Sequence, residues 1–150
     1  MIQIKFRGIP KDKELWSSRE DRFIYGYYAE LGVGNRKKYY IIQNCSEYPL
    51  FKNPEDDECF MDVEVDPNTV GRFTGLNDKN GNEIYEGDIV EAWSEGVKAI
   101  GEVKRRMDGL FIIYPAYQRG EFWGLCPDVY GHTTVEIIGN VYENPELLGR

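Results

Sequence analysis

Asp62, Glu64 and Asp66 alternate with Met61, Val63 and Val65. On a β-strand the three carboxylates therefore share one face. Three hard oxygen donors in a row could begin a divalent-cation site if a neighbouring strand added ligands. The competing reading is a strand face turned to water. Cys126, Asp128 and His132 form a second set. With Cys45 and Cys59 they could offer thiolates and an imidazole to zinc, and Cys126 or Ser94 could be a nucleophile for His132. No close cysteine pair nucleates such a centre, and the single histidine follows Gly131 in loop-like sequence, so an exposed histidine is the simpler reading. Asp78, Asn80 and Asn82 imitate the start of a calcium loop but lack its flanking helices and closing glutamate. Glu86 and Asp88 could be an acid-base pair only across a cleft that spacing does not establish. Asp88 more simply binds backbone amides at the start of a strand.

Anion-binding chemistry is no better supplied. Gly32-Val33-Gly34 lacks the remaining glycines and the Lys-Ser pair of a phosphate loop and reads as a hairpin turn. The best case for nucleic acid is Lys104, Arg105 and Arg106 with Tyr114 and Tyr117, flanked by Lys98, Phe111 and Arg119. Cations and aromatic rings on one small barrel bind single strands by charge and stacking. Glu91, Glu95, Glu102, Asp108 and Glu121 dilute that field, and the formal net charge of -8 opposes general phosphate binding. The bland alternative is a mixed surface over an aromatic core in which Trp93, Phe111 and Trp123 supply burial. No catalytic, cofactor-binding or metal-binding residue is assigned.

The 150 residues suffice for one domain or two small ones, with a core that needs no metal or disulfide. Eleven tyrosines suit strands, half-buried faces and interfaces. Three dispersed cysteines fit a reducing cytoplasm. The start, MIQIKFRGIP, reads as a strand and not a secretory leader, and no apolar run is long enough to span a bilayer.

The elements that would carry these side chains are strands. Ile2, Ile4 and Phe6 alternate with Gln3, Lys5 and Arg7, giving a strand with one wet face, and Leu15-Trp16 reads as its hairpin partner. Strands follow at Phe23–Leu31, Tyr39–Ile42, Met61–Val65 and Val70–Thr74. The proline-bearing, acidic stretch Glu47–Glu58 reads as a loop. Asn77 to Gly81 is the strongest turn signal, with Asn80 and Gly81 at its tip. Beyond it, strands are expected through Ile84–Trp93, Lys98–Arg105, Leu110–Tyr114, Phe122–Leu125 and Val135–Tyr142. Gly87-Asp88 marks one structural turn, and Gly139-Asn140 a bulge or break. Several short strands joined by small turns describe a closed barrel. The expected organisation is mainly β: an irregular N-terminal β unit, residues 1–82, packed with a small SH3-like β barrel, residues 83–150.

Three ordered segments carry a family resemblance: IKFRG, VGRFTGLNDKNGNEIYEGDIV and VEIIGNVYENPELL. They resemble the YopX family of phage and prophage proteins and span nearly the whole chain. The resemblance implies a mainly β protein whose C-terminal part is SH3-like, in a bacterial host cytoplasm or phage setting, and it brings no catalytic residues. Gly8 and Ile9 stand where the family often has Ala and Trp. The expected function is a non-enzymatic accessory protein, without cofactor, that serves protein interaction or assembly. Its partner would be an unidentified phage or host protein or a second copy, not a membrane. A nucleic-acid-associated factor is the alternative, and a small metal-dependent enzyme the least favoured.

Overall fold

The computed structural model describes residues 4–15, 21–44, 60–115 and 122–149. The chain is mainly β, with two antiparallel sheets and only short 3₁₀ turns beside them. It divides into two compact units, Ile4–Arg72 and Phe73–Arg150 with Met1–Gln3. The division falls ahead of the Asn82 boundary read from the sequence. The Asn77–Asn82 reversal belongs to the second unit because its backbone and Asp78 are bonded to residues 131–137 there.

In the first unit, β1 (Phe6–Gly8) pairs with β2 (Ile24–Leu31), β2 with β3 (Lys38–Asn44), and β3 with β4 (Phe60–Glu64), all antiparallel. The register sets Tyr28 opposite Ile41 and Ile41 opposite Val63. Those residues share a face, and Ile24, Ile41, Val63 and Val65 form the buried cluster under Phe6, Tyr28 and Tyr39. The segments that follow β1 and β4 meet. The Lys11 amide donates to the Glu64 carbonyl at 3.1 Å, and the Asp66 amide to the Ile9 carbonyl at 2.9 Å.

Two local expectations change here. Leu15 lies in a 3₁₀ turn, Lys13–Leu15, Trp16 lies outside the described residues, and β1 pairs with β2 and the start of β5 (Gly71–Asn77). Arg7 does not sit on a wet face: it is buried, with its guanidinium 4.0 Å from the centre of the Phe23 ring. A cation over an aromatic face keeps an electrostatic partner while its stem is desolvated. The Glu47–Glu58 loop lies outside the described residues, as do Cys45, Cys59 and Tyr117.

In the second unit, later residues of β5 pair with β6 (Glu83–Tyr85). The five-stranded sheet runs β10-β9-β8-β7-β11, built from β7 (Asp88–Ser94), β8 (Val97–Arg105), β9 (Phe111–Tyr114), β10 (Trp123–Gly124) and β11 (Glu136–Asn140). Val90, Ala92, Ala99, Val103 and Ile113 point to one side and form the core with Ile84, Leu125 and Val135. The expectation of closure is corrected. The sheet has two margins, β10 and β11, and no ladder among the described residues joins them. The β11 margin is occupied instead by the turn after β5. The Lys79 amide donates to the Val135 carbonyl at 2.8 Å, and the Ile137 amide to the Asp78 carboxylate at 3.2 Å. Among the described residues no helix is long and apolar enough to cross a membrane.

Candidate functional site

The polar residues of the densest sequence motifs are engaged by the backbone. Asp78 is buried, and its Oδ1 accepts the amides of Asn80 and Asn82, each at 2.9 Å, while Oδ2 accepts that of Ile137. Gly81 has φ of 86° and completes the reversal by donating to the Asp78 carbonyl. A carboxylate holding three amides is a structural hub, and this is how Asp78, Asn80 and Asn82 are used. The Asp88 carboxylate is buried and accepts the Tyr85 amide at 2.8 Å across the tight turn at Gly87.

Gly87-Asp88 and Gly139-Asn140 are two halves of one joint. Asn140 stands opposite Asp88 and Gly139 opposite Ile89, with the register shifting between Ile137 and Gly139. The Val141 amide donates to the Gly87 carbonyl at 2.9 Å. Gly87 adopts φ of 91°, and a Cβ there would lie 3.1 Å from the Tyr142 ring. A Cβ at Gly139 would lie 2.6 Å from Asn144 Oδ1. The Asn140 side chain then caps the exit by accepting the Tyr142 and Glu143 amides.

The carboxylates of the candidate metal sets are engaged elsewhere or exposed, and Cys45 and Cys59 lie outside the described residues. Glu64 lies between Lys11 at 3.5 Å and Lys38 at 3.9 Å, Asp66 caps the 3₁₀ turn Pro67–Thr69 through the Asn68 amide, and Asp62 is exposed. Asp128 accepts the amides of Tyr130 and His132, which hold its carboxyl below the ordinary carboxylate range. His132 and Cys126 are both exposed. Among the described residues no group of three or more His, Cys, Asp or Glu side chains is arranged to hold a metal ion.

The basic and aromatic set is split. Lys104 Nζ lies 5.5 Å from the Tyr114 ring centre, and the register puts both on one face of the sheet. Arg105, next along β8, points to the other face. Arg106 forms an ion pair with Asp108 on the β8–β9 turn, which raises the guanidinium's pKa and lowers that of the carboxyl, and its guanidinium lies 5.8 Å from the Phe122 ring centre.

The feature that sequence reasoning missed is a groove of about 480 Å³ in the second unit. Ala92, Ile113 and Val135 form its apolar base, Trp93, Phe122 and Trp123 its aromatic walls, and Ser94, Cys126 and Thr134 its polar edge. Trp93, a burial candidate in the bland reading of the sequence, is 61% exposed, because alternation along β7 turns it away from the face that Val90 and Ala92 bury. The signal was available: Trp93 is followed by Ser-Glu-Gly, a turn that ends the strand before its side chain can be covered.

The family model described as YopX protein matches residues 5–149. No curated protein matches the chain. Among solved structures, protein EF1440 from Enterococcus faecalis is similar over 99% of both chains at 22% identity, with a TM-score of 0.40.

Proposed function

The chain belongs to the YopX protein family, and from that premise we propose a non-enzymatic phage or prophage accessory protein that acts as a protein-interaction or assembly module in the bacterial cytoplasm. One observation carries the reading. The polar motif residues are spent on backbone amides, while three large aromatic side chains, Trp93, Phe122 and Trp123, line a groove together with Ala92, Ile113 and Val135. Clustered aromatic anchors in a groove are the usual energetic centre of a protein interface. We read the second sheet as a relative of SH3-like barrels, an assignment supported by its five short antiparallel strands and tight turns.

The test is affinity capture from infected or prophage-carrying host cells, with and without nuclease. A protein partner retained after nuclease supports the module, and recovery that collapses with nuclease overturns it. The second reading, a nucleic-acid-associated factor, draws on the Lys104–Tyr114 pair alone, because Arg106 is tied to Asp108 and Arg105 faces away. It predicts single-strand affinity that falls steeply with salt.

A further inference from the structure

We propose that Asn80 is a site of self-modification governed by the Asp78 reversal: the closed turn prevents its deamidation, an opened turn permits it, and the isoaspartyl product does not re-form the turn. Asn80-Gly81 is the only Asn-Gly pair in the chain. An asparagine followed by glycine is especially prone to deamidate, because no side chain obstructs attack by the following amide. The Gly81 amide nitrogen loses its proton and attacks Asn80 Cγ. A C–N bond forms, the bond from Cγ to the side-chain nitrogen breaks, and that nitrogen leaves as ammonia. Water then opens the five-membered imide at either carbonyl and leaves an aspartate or an isoaspartate. In sum, the asparagine and one water give the acid and one ammonia, with no oxidant or reductant.

Asn80 and Gly81 are both exposed, and no described residue lies within 4 Å of where a Gly81 Cβ would sit, so packing does not restrain the pair. Hydrogen bonds do. The attacking group, the Gly81 N–H, is donated to the Asp78 carbonyl at 3.0 Å. On either side of it, the Asn80 and Asn82 amides are held by Asp78 Oδ1, each at 2.9 Å, and the Asn82 carbonyl accepts the Asp78 amide at 2.8 Å. Ring closure requires the Gly81 nitrogen to give up its proton and turn toward Asn80 Cγ, and both movements break this set. The closed turn is also pinned to the far end of the chain, through Asp78 Oδ2 with the Ile137 amide and the Lys79 amide with the Val135 carbonyl. An isoaspartate adds one methylene to the main chain between the nitrogens of residues 80 and 81. The spacing that lets one carboxylate bind the amides of residues 80 and 82 is then lost. An aspartate keeps the spacing but sets a second negative charge close to the buried Asp78 carboxylate.

The experiment ages the full chain in mildly alkaline buffer, folded and in urea above its unfolding midpoint. Peptide mass mapping and isoaspartyl methylation follow the product. In urea Asn80 should react before any other asparagine, and in the folded chain it should react more slowly by about tenfold or more. Asp78→Ala should restore most of the unfolded rate while circular dichroism shows the sheets retained. Should that variant unfold, the unsubstituted chain decides. Its Gly81 amide exchange should be slowed by the same factor as deamidation, and small additions of urea should speed both together. Equal rates in the folded and unfolded chain overturn the inference, as does another asparagine reacting first in urea. So does a folded Asp78→Ala variant as slow as the unsubstituted chain, or a Gly81 amide that exchanges without protection. Isolated isoaspartyl protein whose Gly81 and Ile137 amides keep their protection overturns the one-way character of the step.

Discussion

At Asp78 one side chain organises a reversal and joins it to a strand distant in sequence. Asp78→Ala leaves three amides without their acceptor, two of them within the turn and one on β11. Each costs about 1–3 kcal/mol if it stays buried, and water reaching the turn recovers part of that. We expect a loss of about 2–4 kcal/mol in urea unfolding. Asp78→Asn keeps Oδ1 and should lose less. The turn at Asp78 is legible in the sequence because Asn, Asp and Gly crowd together there. Its bond to Ile137 is not, since no local pattern announces a partner on another strand. The network of Tyr28, Glu30 and Lys37 gives a second prediction at this scale. Tyr28 donates to Glu30 at 2.8 Å, and Lys37 reaches the same carboxylate at 2.7 Å. The Lys37 bond holds the Glu30 pKa below its ordinary value, and Glu30 raises that of Lys37. Burial, followed by the Glu30 bond, pushes the Tyr28 hydroxyl well above its ordinary value. A lowered carboxyl stabilises above its unfolded pKa of about 4.3, and that contribution disappears as pH falls through the folded value. Raised Tyr and Lys groups stabilise below about pH 10, and their contributions disappear as pH rises. Stability should therefore plateau between about pH 5 and 9. Tyr28→Phe should flatten the start of the alkaline decline; an alkaline limb unchanged by that substitution would remove Tyr28 from its cause.

Strands and the joints between them are where sequence and structure agree most and then part. Alternating Met61, Val63 and Val65 marks β4, and apolar spacing marks β7, β8 and β9 within a few residues of their limits. Alternation reports which residues share a face, but pairing across strands depends on register that only the assembled sheet sets. That is why Leu15, expected in a hairpin with β1, lies in a 3₁₀ turn while β1 pairs with β2 and β5. The joint of Gly87-Asp88 with Gly139-Asn140 can be tested as an element. Gly139→Ala places a Cβ against Asn144 Oδ1, and such crowding costs about 1–3 kcal/mol. Asn144→Ala removes the obstacle along with a weak 3.3 Å bond from the Asn140 amide. The double variant should therefore be less destabilised than the sum of the single losses, by about 1 kcal/mol. Additive losses would mean that backbone conformation, not the Asn144 contact, makes Gly139 necessary.

Taken as a whole, the molecule joins a charge pattern that sequence displays to a surface that it conceals. Net charge is a sum over residues and needs no fold, so the argument against general phosphate binding can be made from the chain alone. The groove is different. Trp93, Phe122 and Trp123 belong to different parts of the second unit, and only the curl of the sheet brings them around Ala92, Ile113 and Val135. The same folding separates Arg105 from Lys104 and Tyr114 by strand alternation and sets Asp108 against Arg106, so linear clustering overstates the cationic face. This makes a prediction that the full chain can test. A protein with one Lys104–Tyr114 pair exposed to a single strand and a net charge of -8 should bind an oligothymidylate more weakly than about 100 μM near physiological salt, at or beyond the weak end of non-specific binding. Fluorescence anisotropy at graded salt measures it. Binding in the low micromolar range, with a steep salt slope removed by Lys104→Ala, would transfer the protein's working face from the groove to Lys104 and Tyr114.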